Sequence, residues 1–117
     1  MKNYLAVFIG NEASYKASGW NALNEADRKE RERAGIQAWD HWVTSHQNDI
    51  VEIGTPLGKT LRVSSRGIEP SRNELTAFTI VRAESHEAAA KLFEGHPHFM
   101  IFPGDSIEVM ECLAIPR

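Results

Sequence analysis

Residues 4–9 show no polar alternation: Tyr4, Ala6 and Phe8 project to one side of an extended segment, and Leu5, Val7 and Ile9 to the other. A strand that is apolar on both faces needs cover on both, as a central strand does. Residues 76–83 repeat the pattern, with Phe78 and Ile80 opposed to Ala77, Val81 and Ala83. Residues 106–115 read as a closing strand, with Ile107, Val109, Leu113 and Ile115 against Met110, Cys112 and Ala114. The middle of the chain is weaker. An extended run begins at residues 50–53 and bends at the Gly-Thr-Pro-Leu-Gly of 54–58, where proline and paired glycines break it. In 60–64, Leu61 and Val63 alternate with Thr60, Arg62 and Ser64, as in a half-buried edge strand.

Two helices fall between these strands. Asn24 is placed to cap the first, with Glu25 and Asp27 favourable against the positive end of its dipole, and the helix is expected to run to about His46. Its first half is charged and solvated. An apolar stripe through Ile36, Trp39, Val43 and His46, with Trp42 beside it, appears only in the second half. Ser85 caps the second helix, expected over 87–93 and ended by Gly95. Residues 10–24 have two glycines, three asparagines and two serines without a period and read as a loop. Residues 65–74 read as a polar loop and a candidate pocket rim.

The order βα, one or two strands, βαβ, without a Gly-rich phosphate turn, predicts an α+β, ferredoxin-like βαββαβ sandwich. Its 117 residues suit one domain, 1–117. Two short helices shield one face of a four-stranded sheet, so a second copy of the chain is the economical cover for the other. A net charge of −3 disfavours a nucleic-acid role. The apolar N-terminal run is too short to span a membrane and lacks a cleavage site, so a soluble cytoplasmic protein is expected. The one cysteine, Cys112, excludes an intrachain disulfide and reads as a small apolar residue of the last strand.

The Trp-x-x-Trp helix (Trp39, Trp42), the 54–58 bend, the Ala-Glu-Ser-x-Glu-Ala-Ala entry into the second helix, the His-Pro-His corner and the closing Ser-Ile-Glu-Val together resemble the YCII-related (DGPF/YCII-like) domain family. The resemblance runs from about Gly35 onward. It implies a ferredoxin-like domain that pairs into a homodimeric α+β barrel, with a cavity near each sheet and helix end. Enzyme-like members have been suggested to act through a His-Asp pair. The histidine often found at the start of their first helix is absent here, where Asn21 and Asn24 stand.

Candidate chemistry centres on two places. His96 and His98 flank Pro97, which holds His96 extended, with Asp105 and Glu108 a few residues on. Paired imidazoles suit proton transfer or an anion, because histidine titrates near neutrality. Their bland alternative is a packed His98 and a solvated His96. His46 and Asp49, with His41 nearby, form the closest approach to a His-Asp dyad; the helix dipole alone also accounts for His46. Candidate catalytic residues are therefore His98, His96, His46 and Asp49. Candidate ligand-binding residues are Trp39, Trp42, His96, His98 and Arg62, although paired tryptophans at helical spacing also serve as plain core anchors, and Arg62, Arg66 and Arg72 as a solvated rim. His-x-His lacks an evident third ligand, so no metal and no cofactor are expected. Three classes follow: a homodimeric binder of a small, aromatic or anionic metabolite; a cofactor-independent lyase, isomerase or monooxygenase using a histidine; and a structural subunit.

Overall fold

The computed structural model describes residues 1–117. Its elements are β1 (Lys2–Ile9), α1 (Glu12–Ser18), a 3-10 turn (Trp20–Ala22), α2 (Glu25–Ser45), β2 (Ile50–Glu52), β3 (Thr60–Ser64), β4 (Gly67–Ser71), β5 (Leu75–Ala83), α3 (His86–Lys91), α4 (Pro97–Met100) and β6 (Ser106–Glu111). The main sheet is antiparallel in the order β2-β5-β1-β6. With β1, β2, β5 and β6 as its four strands this is the ferredoxin-like α+β arrangement, and β3 with β4 forms a separate hairpin inserted before β5.

Register assigns the two faces. Tyr4 pairs with Val81, Ala6 with Thr79 and Phe8 with Ala77, so these side chains share one face and meet Trp42, Ala89 and Phe93 from the helices. Phe8 is fully buried, a contribution of about 1.5–3 kcal/mol from its own transfer out of water. Leu5, Val7, Phe78, Ile80 and Met110 occupy the opposite face, and none belongs to the core cluster. The two-faced strands are thus present, with the chain's helices on one side of them.

Several local expectations change. The 10–24 segment contains α1 and a 3-10 turn, because Asn11 and Ser14 form a reciprocal capping box and Gly19 closes the helix. It is anchored by Ser14 Oγ donating to the Pro103 carbonyl at 2.8 Å and by Arg31, which bonds the Ser18 and Ile101 carbonyls. Residues 60–64 are not an edge of the main sheet, and 65–74 is not a simple loop: both belong to the β3–β4 hairpin. β6 ends at Glu111, so Cys112 is exposed and Leu113 and Ile115 are in solvent. The His-Pro-His corner is a short helix, α4, with Pro97 at its first position, where a missing N–H is harmless.

The asymmetry of cover shows in the surface. The chain exposes 8335 Å², against about 6,400 Å² for a folded monomer of its mass. Its radius of gyration is 16.1 Å, against about 13.4 Å for a compact chain of this length.

Candidate functional site

A cavity of about 430 Å³ opens between α2 and the β2–β5 edge of the sheet. Ile36, Trp39 and Asp40 line it from α2, residues 53–56 from the segment after β2, residues 76–79 from β5, and His98 and Phe102 from α4 and the turn after it. The volume is at the small end of small-molecule sites, room for about one ring and its substituents.

Trp39 is held by stacking on Phe8 at 5.1 Å and by edge contact with Phe102 at 6.0 Å, so core packing fixes the wall. His98 is fixed from two sides. β1 is irregular between Phe8 and Ile9, and the Ile9 carbonyl accepts from both Asp105 N–H and His98 Nε2–H, each at 2.8 Å. A carbonyl only accepts, so the neutral ring carries its proton on Nε2 and leaves the Nδ1 lone pair without a hydrogen bond inside the chain. Gly104 packs against this ring, and a Cβ there collides with the imidazole. Burial lowers the His98 pKa, while the Ile9 and Ser106 carbonyls and Asp105 pull it back upward. Below the ordinary value, His98 is neutral at pH 7, with a basic lone pair at Nδ1.

The polar lining is rich in acceptors. Asp40 is exposed at the cavity mouth, and its side chain makes no ion pair or hydrogen bond within the chain. The Thr76 and Thr79 hydroxyls donate to the Phe8 and Ile53 carbonyls and keep their lone pairs free. No lysine or arginine lines the cavity.

Of the residues singled out in the sequence, Trp39 and His98 meet at this cavity. His96 is not solvated: it is fully buried, its Nδ1 accepts from the His98 N–H at 3.0 Å, and Trp39, Trp42 and Phe8 surround its ring. Burial first, then the charges of His98 and His46, push its pKa down to about 3. Trp42 is a core anchor whose Nε1–H donates to the Leu92 carbonyl at 2.8 Å. His46 Nδ1 bonds the Trp42 carbonyl and its ring lies over that indole, while Asp49 meets it only through the backbone, so no His-Asp side-chain dyad forms. Arg62 lies on the hairpin, bonded to Glu69 at 3.0 Å and away from the cavity lining. The sequence reading passed over Asp40, yet Ile36, Trp39 and Asp40 follow the same i, i+3, i+4 spacing as the apolar stripe. A carboxylate inside that stripe was the available signal.

No helix is long and apolar enough to cross a membrane. No protein-family model matches the chain, and no curated protein matches it. Among solved structures it is similar to 5-chloro-2-hydroxyhydroquinone dehydrochlorinase (TftG) from Burkholderia phenoliruptrix AC1100 in complex with 2,5-dihydroxybenzoquinone, with 16% identity, 92% of this chain and 89% of that chain covered, and a TM-score of 0.49.

Proposed function

We propose that the chain is a YCII-like, homodimeric small-molecule-binding domain whose cavity takes a neutral, flat, hydroxyl-bearing molecule. The observation that carries this reading is the lining: the aromatic side chains Trp39 and Phe102 share it with the polar residues Asp40, Thr76, Thr79 and His98, with no lysine or arginine among them. A phenolic or polyol O–H satisfies such acceptors, whereas a carboxylate or phosphate finds no cation to pair with and is repelled by the Asp40 carboxylate. The anionic metabolite suggested by the sequence is thereby disfavoured. The second copy lies over the Leu5, Val7, Phe78, Ile80 and Met110 face, which the chain's own helices leave out of the core.

Native mass spectrometry of gently purified protein tests state and retained ligand together, and titration with catechol and benzoate tests the chemistry through tryptophan fluorescence. Catechol is expected to bind and benzoate to bind at least tenfold more weakly. Trp39→Ala and His98→Gln each weaken catechol at least tenfold. Preferential benzoate binding sinks the acceptor argument, and a dimer that takes up neither compound favours a structural subunit.

A second reading rests on His98 itself. A neutral imidazole with one unbonded nitrogen, in a cavity that also holds a free carboxylate, is equipped for cofactor-independent proton transfer of a lyase, isomerase or monooxygenase type. Because burial holds the His98 pKa low, activity that needs Nδ1 as a base persists below pH 6.5, the ordinary histidine value. A pH–rate profile whose acidic limb lies at or above that value contradicts the assignment.

A further inference from the structure

Residues 59–72 form an arm with a face that nothing in the chain covers. In the hairpin register Leu61 pairs with Pro70 and Val63 with Ile68, which places all four on one face, while Arg62 and Glu69 pair on the other. Leu61, Val63 and Ile68 are 67%, 75% and 70% exposed. β3 and β4 pack substantially only on each other. A lone two-stranded hairpin is marginal in water, and its stability ordinarily comes from packing its apolar face on something else.

Charge narrows the occupant. Lys59, Arg62, Arg66 and Arg72 stand against Glu69 alone, so the arm carries +3 and the rest of the chain −6. The chain's own body is thus an electrostatic complement to its arm, and it supplies the apolar sheet face opposite the helices, where Leu5, Phe78 and Ile80 are half-buried and Met110 is exposed. The exposed area in excess of a compact monomer, about 1,900 Å², is more than the roughly 800 Å² per partner that a stable interface takes.

We infer that the β3–β4 hairpin is a clasp that packs its Leu61, Val63, Ile68 and Pro70 face on a second copy of this chain. The inference rests on the homodimer proposed above and adds the element that holds it. The arm leaves the body through residues 54–58, and residues 53–56 are a wall of the cavity. Clasping therefore sets the position of that wall.

Sedimentation velocity over a concentration series, with limited trypsin digestion at Arg66, tests the clasp on the full chain. The variant is Leu61→Ser/Val63→Ser/Ile68→Ser, which leaves the core residues intact; an unchanged far-ultraviolet circular dichroism spectrum and melting profile of the body verify its fold. The wild type is expected to be a dimer whose Arg66 cleavage slows at least tenfold above the dissociation constant. The variant is expected to dimerise at least tenfold more weakly and to lose that protection. A wild-type chain that stays monomeric overturns the homodimer and the clasp together. A variant that dimerises as tightly as wild type overturns the clasp alone, as does an arm that shifts duplex DNA while self-association ignores the three serines.

Discussion

Acidification from pH 7 toward pH 4.5 is expected to remove about 2–3 kcal/mol of folding stability, most of it through His96. The ring sits in an aromatic box with no room for a hydration shell, and its Nε2–H has no hydrogen-bond acceptor. Its folded pKa is pushed down to about 3, against about 6.5 when the chain unfolds. Between those values the unfolded state takes a proton that the native state refuses, so stability is complete above about pH 6.5 and falls as pH drops toward 3. One proton of difference corresponds to about 1.4 kcal/mol per pH unit. The lowered His98 pKa acts in the same direction.

Urea unfolding from pH 8 to pH 4 measures the slope, and His96→Phe separates charge from packing. Phenylalanine keeps an aromatic ring but cannot accept from the His98 N–H, so the variant is expected to lose about 1–3 kcal/mol at pH 7. Its acid dependence flattens by about 1.4 kcal/mol per pH unit between 6 and 4. A variant that keeps the wild-type slope places the acid-sensitive group elsewhere. The result also bears on function, because a histidine held neutral inside the core contributes order to α4 and the position of His98, and no proton to a ligand.

What the sequence disclosed follows from where its signals are local. The alternation of Tyr4, Ala6 and Phe8 with Leu5, Val7 and Ile9 is read directly along the strand, and the register of β1 with β5 and β6 preserves it. The Asn24 and Ser85 caps are equally local, each accepting from an N–H three residues on. The hairpin was missed because Gly67–Ser71 contains a proline and reads as polar, while its pairing with Thr60–Ser64 is visible only once the turn between them is closed. The site was half legible. Trp39 and His98 are 59 positions apart in the chain and meet because Phe8 and the Ile9 carbonyl hold one from each side. His96 and His98 look equivalent in sequence; His96, extended at the N-cap of α4, lies in the core, whereas His98, inside the helix, lines the cavity.

The two glycines of the 54–58 bend are expected to behave oppositely, and the contrast is large. Gly54 has φ of 77°, and a Cβ there runs into the Phe78 carbonyl oxygen, a backbone atom of a central strand that cannot swing aside. Gly54→Ala therefore combines a left-handed backbone, about 1–2 kcal/mol for an L residue, with a clash relieved only by moving 53–56 off β5. A total loss of about 2–4 kcal/mol is expected on these grounds. Gly58 has neither constraint: its φ is not positive, and nothing lies within 4 Å of an added Cβ. Gly58→Ala is expected to be neutral or to stabilise by up to about 1 kcal/mol through the unfolded chain. Urea midpoints of the two variants at pH 7 measure the difference, and equal stabilities refute the close approach of Gly54 to Phe78. The functional consequence is separable from the stability loss. At low denaturant, where Gly54→Ala remains folded, its 53–56 wall has withdrawn from Trp39 and ligand affinity falls, whereas Gly58→Ala binds as wild type does. If Gly54→Ala is destabilised but binds normally, the segment secures β2 against β5 without shaping the cavity, and the site has to be drawn from α2, α4 and β5 alone.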